Sequence, residues 1–112
     1  MKSRIIKLCG KKVGLAYCYA TEICFMDFAG IPIEDMDAKN PKHIFSLILA
    51  SIFAYYQAKN EEPPIKDTDL MFKPDMNEII EAVKIVFELR KEWAKMPESE
   101  TKENKEDTEK NA

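Results

Sequence analysis

Histidine, glycine and tryptophan are scarce in this chain: one, three and one among 112 residues. A single imidazole, His43, removes the commonest component of metal sites and proton relays. Gly10, Gly14 and Gly30 are dispersed, so no phosphate loop, dinucleotide fingerprint or nucleophile elbow can be written on the chain. Cys9, Cys18 and Cys24 are odd in number and spaced nine and six residues apart. That pattern is no disulfide framework, and it lacks the closely spaced ligand pairs of a three-cysteine, one-histidine zinc site. The cysteines read instead as small buried hydrophobes. Long apolar runs are missing too. The longest, Ile44 to Tyr56, has 13 residues, short of the roughly 20 that span a bilayer. A net charge of −3 gives no general affinity for nucleic acid. These absences predict no metal, no cofactor and no catalysis. Met1-Lys2-Ser3-Arg4 is not followed by an apolar stretch of useful length, which predicts a cytoplasmic protein with reduced thiols.

What is present centres on KHIFSLILASIFAYYQAK, residues 42–59. Between Ile44 and Tyr56 only Ser46, Ser51 and the two tyrosine hydroxyls are polar. Asn40 suits an N-cap and Pro41 the first helical position. A helix apolar on nearly every side must be enclosed by other elements or by a partner.

Upstream, RIIKL and the alternation of Val13, Leu15, Tyr17 with Gly14, Ala16, Cys18 predict a β-hairpin, residues 4–9 pairing with 12–17. The basic residues of this stretch read as a solvated strand edge. Residues 18–29 suit a helix closed by Gly30, with Ala20, Ile23, Cys24 and Phe28 sharing a face. A helical turn is expected at residues 33–36 and a short one, capped by Asp67 or Thr68, through Asp69–Phe72. The last helix, about 75–96, carries Met76, Ile79, Ile80, Val83, Val86, Phe87 and Trp93 on one face. Pro97 stops it, and residues 97–112 are too polar to order themselves. The expectation is an α+β, mainly α fold. An N-terminal β-hairpin packs on three main helices (about 18–29, 42–59 and 75–96) in a single domain, 1–96, with a disordered acidic tail, 97–112.

Candidate chemistry is thin. Glu34, Asp35 and Asp37 read as solvated loop acids, and Asp67-Thr68-Asp69 lacks the remainder of a calcium loop. The tyrosines and phenylalanines have no basic groove beside them, so core packing outweighs base stacking. Tyr55, Tyr56 and His43 are the residues that would line a small-molecule pocket, if there is one. The stronger signal is a surplus of apolar surface, because the 18–29 and 44–56 segments are apolar almost all round. Phe25, Met26, Phe53, Tyr56 and Trp93 are therefore the expected contacts to a protein partner, which includes a second copy of the chain.

The order of elements carries a resemblance. A lysine-rich strand pair is followed by an apolar helix closing on Phe28-Ala29-Gly30 and then by the nearly all-apolar IFSLILASIFAYYQA. An acidic loop, the helix MNEIIEAVKIVFELRKEW and a charged tail complete it. Over residues 4–96 this layout resembles the tail assembly chaperones of long-tailed phages and their prophages. The resemblance implies a non-enzymatic, mainly helical protein of the bacterial cytoplasm that binds the tape-measure protein and tail-tube subunits during tail morphogenesis. The alternative is a small homo-oligomeric cytoplasmic adaptor or regulator without a phage connection. It would use the same apolar surplus to bind itself.

Overall fold

Pairing of the N-terminal strands sets the frame. In this computed structural model, which describes residues 1–95, β1 (Lys2–Leu8) and β2 (Lys11–Tyr17) form an antiparallel two-stranded sheet with Lys2 opposite Tyr17 and Leu8 opposite Lys11. β1 begins two residues earlier and ends one earlier than the apolar pattern predicts, and β2 begins one residue earlier. The turn is only Cys9-Gly10, with φ values of 55° and 76°. Two left-handed residues give the type I′ geometry whose twist matches the strands. Gly10 suits it, and Cys9 adopts it at some steric cost.

The register sorts side chains onto two faces. Arg4, Ile6 and Leu8 share a face with Val13, Leu15 and Tyr17; Ser3 and Ile5 share the other with Gly14 and Ala16. The bulky face joins the main core with Val86 and Leu89. The small face takes Tyr55 and Ala54 of the central helix. β2 is thus buried on both sides from Val13 to Tyr17, while β1, bearing Lys2, Arg4 and Lys7, is the exposed edge. Charged residues on an edge strand discourage pairing with other chains. Gly14 is required by packing, since a Cβ there would overlap the Tyr55 ring.

The chain turns from strand to helix at Cys18. α1 spans Tyr19–Ala29, and its C-terminal cap is Gly30 at φ 81°, whose N–H donates to the Met26 carbonyl at 2.8 Å. The buried face of α1 differs from the expected one. Thr21, Phe25 and Ala29 face inwards, whereas Ile23 is half exposed and Ala20 is open to solvent. Thr21 explains the rotation. Its Oγ1 donates to the Ala16 carbonyl at 3.0 Å and accepts from the Cys18 N–H at 3.2 Å. A polar side chain so satisfied can be buried, and it fixes which side of the helix turns inwards.

A 3₁₀ turn at Ile33–Asp35 leads to α2, Pro41–Ala58, capped by Asn40, whose Oδ1 accepts from the Lys42 N–H at 2.9 Å. α2 is enclosed chiefly by α1 and β2, with smaller contributions from the last two helices. Phe28 and Phe53 close the α1–α2 seam edge to face, with ring centroids 6.3 Å apart. α3 spans Asp67–Phe72 and α4 spans Met76–Ala94. Asp75 and Glu78 form a reciprocal capping box at the start of α4. The architecture is α+β, mainly α: a hairpin on a helical layer with α2 at its centre. The expected disordered tail, 97–112, lies outside the described residues.

Candidate functional site

The five expected contact residues do not form one surface. Phe25 is fully buried, so it belongs to the core and cannot contact a partner; its place on α1 follows from the Thr21-directed rotation. Tyr56 is half-buried, and its hydroxyl accepts from the Gly14 N–H at 2.9 Å, closing the outer edge of β2. Trp93 is half-buried against Tyr17, with ring centroids 5.4 Å apart. Only Met26 and Phe53 are exposed, and of these Phe53 lies at the α1–α2 seam. Met26 extends an apolar stripe with Tyr19 and Ile23 along α1. The residues named for a small-molecule pocket are also separated. His43 begins α2 and Tyr55 and Tyr56 end it, roughly 18 Å apart along the axis.

The larger apolar surface lies elsewhere. The N-terminal halves of α2 and α4, with α3 between them, enclose an open groove of about 1010 Å³. Ile44 and Phe45 of α2, Leu70 and Met71 of α3, and Met76, Ile79, Ile80 and Val83 of α4 form its walls. Met76 is 70% exposed, Met71 60% and Ile80 57%, values that place these side chains outside the core. The signal for this groove was present in the sequence. The α4 stripe continues as far as Met76, and the DLMF segment supplies a second short apolar run beside it. A smaller groove of about 560 Å³ runs beside Phe28 and Phe53 towards Pro63–Ile65.

The rim of the larger groove is basic. Lys39, Lys42 and Lys84 line it with one acid, Asp75, whose Oδ1 is engaged by the Glu78 N–H. None of the three lysines is in an ion pair among the described residues. The opposite end of α4 is heavily linked by comparison. Arg4 reaches Glu88 at 3.0 Å and Glu92 at 3.6 Å; Arg90 reaches Glu22 at 3.5 Å and Glu34 at 3.7 Å. Tyr17 completes this cluster. Its hydroxyl donates to Glu22 at 3.0 Å and accepts from Arg90 Nε at 3.2 Å, and burial pushes its pKa far above the usual tyrosine range.

The potential nucleophiles are quiet. Burial raises the Cys9 thiol, assisted by the Glu78 and Asp69 carboxylates, and burial followed by Asp27 raises Cys24. Thiols held up in this way stay protonated and react slowly. Cys9 Sγ instead donates to the Asp69 carbonyl at 3.6 Å, tying the hairpin turn to α3. His43 accepts the Asp37 N–H through Nδ1 at 3.0 Å, a loop anchor before α2. Among the described residues no three histidine, cysteine or acidic side chains converge as a metal site would require, and no helix is long and apolar enough to cross a membrane. Neither a protein-family model, a curated protein nor a solved structure matches this chain.

Proposed function

We propose that the chain is a non-enzymatic protein that covers apolar helical segments of another polypeptide. In this reading it acts as a tail assembly chaperone of a long-tailed phage or prophage, holding tape-measure protein and tail-tube subunits in the bacterial cytoplasm until assembly. One observation carries it: after the core around α2 is closed, large apolar side chains of α3 and α4 still line an open groove. A long helical protein awaiting assembly exposes apolar stripes of its own. A groove between helices receives such a stripe by helix-in-groove packing.

The test is capture from the native source with an antibody against residues 1–95, followed by mass spectrometry. A very long helical protein, with a second product sharing this N-terminus, is the expected result. Recovery of the chain alone or paired with itself would overturn the reading.

A second reading has its own observation. Tyr19, Ile23 and Met26 form an exposed stripe on α1, away from the groove, that suits a homo-oligomeric adaptor. Sedimentation of Ile23→Glu beside the unmodified chain separates the two. A dimer lost in the variant supports the adaptor, and a monomer in both removes it.

A further inference from the structure

The open groove at the α2–α4 N-termini carries more than apolar area, because its rim has a sign. Resting on the reading of the chain as a cover for helical segments, we infer that the groove takes an amphipathic helix whose apolar stripe is flanked by Asp and Glu. Three features lead there.

The first is shape. α4 offers Met76, Ile79, Ile80 and Val83 at three- and four-residue spacing, and α2 offers Ile44 and Phe45 across from them. An open groove between two helices with such ridges leaves room for a third at ordinary interhelical distance. The methionines Met71 and Met76 supply side chains that adapt to an imperfectly matched stripe.

The second is charge. Lys39, Lys42 and Lys84 edge the groove without acid partners among the described residues. Acidic flanks on the incoming helix would neutralise them.

The third is the failure of the nearer occupants. Residues 98–111 of this chain contain no apolar side chain and have nothing to bury. A second copy docking symmetrically through the same patch sets these lysines against their own counterparts, which the shared charge opposes.

The experiment uses the full 112-residue chain and two fluorescein-labelled synthetic helices of about 18 residues. Both carry leucine at helical spacing; one has glutamate flanks and the other lysine. Anisotropy should show the glutamate peptide binding about tenfold tighter than the lysine peptide, a gap that narrows between about 50 mM and about 300 mM salt. The double variant Lys42→Glu/Lys84→Glu should reverse the preference. Ile80→Glu, at an exposed position and checked for folding by circular dichroism, should abolish binding, whereas Ile23→Glu on α1 should not change it.

Equal affinity for the two peptides, no binding of either, or binding that survives Ile80→Glu would overturn the inference. So would a concentration-dependent dimer that Ile80→Glu dissociates, since the occupant would then be a second copy. These readouts are independent of capture from the source. A long helical partner recovered there alongside a negative peptide result would reject this groove and keep the proposed function; the converse would keep the groove alone.

Discussion

From Met76 to Val83, α4 presents Met76, Ile79, Ile80 and Val83 at helical spacing; from Val86 to Trp93 it presents Val86, Leu89 and Trp93 in the same rhythm. The second set is covered. Val86 and Leu89 are fully buried against the sheet, and Arg4, Glu22, Arg90 and Tyr17 join the surrounding elements. The first set faces an open groove, with Met76 and Ile80 mostly exposed. Helical periodicity is therefore a statement about which side chains align, and it carries no information about what covers them. The hairpin decides the difference. It runs along one face of α4, from Glu92 and Glu88 beside Arg4 to Glu78 near the Cys9 turn, while the face of Met76 and Ile80 meets only the short α3.

The largest test of this contrast is truncation at each end. Leu89→Ala should cost about 2–5 kcal/mol in urea unfolding, a core cavity, whereas Ile80→Ala should cost under about 1 kcal/mol. Equal losses would mean that the groove is closed in solution. Phe25→Ala, expected at about 3–5 kcal/mol, places α1 on the covered side.

Gly14→Ala drives a methyl into the Tyr55 ring and should cost about 1–3 kcal/mol, with loss of the bond from the Gly14 N–H to Tyr56. A neutral result would show that the hairpin does not seat on α2 as described.

Asp75→Ala removes the cap of the open half only. The expected cost is about 1 kcal/mol, with faster amide exchange over Met76–Val83 and unchanged protection over Ile85–Leu89. Uniformly faster exchange would mean that α4 opens as one unit.

The two ends should also fail at opposite pH. The Tyr17 hydroxyl is raised by burial and then by Glu22, so its contribution is complete below the ordinary tyrosine value of about 10 and is lost as pH rises beyond it. Tyr17→Phe should flatten that alkaline decline. Asp69 is lowered by the Lys66 N–H and then by Lys73, so its contribution is complete above the ordinary aspartate value of about 4 and is lost as pH falls through the lower folded value. Amide protection in α3, relative to the intrinsic exchange rate at each pH, should therefore fall in acid, weakly and more so at low salt, while the Tyr17 end stays closed.

Much of the fold was legible. Asn40-Pro41, Asp75, Gly30 and the alternation in β2 are local signals, because caps, left-handed turns and period-two burial are satisfied by neighbours in sequence. The candidate site was legible only in part. Met26 and Phe53 are exposed, Phe25 is fully buried, and Tyr56 and Trp93 are half-buried, a division that aromatic size does not reveal. Phe25 was drawn inwards by Thr21, and Tyr56 was occupied by a strand edge 42 residues away in sequence. The groove residues were visible as a stripe, but their exposure was not.

The sequence by itself determined which helices and strands form and in what order, and the caps at Asn40, Asp75 and Gly30, since these follow from covalent neighbours and backbone hydrogen bonds. Tertiary structure alone decided that β2 is buried twice, that a glycine is held by a tyrosine ring, and that one half of α4 is covered while the other is open. Those outcomes depend on which distant surfaces meet, and a side chain's local pattern is the same whether a partner arrives or not.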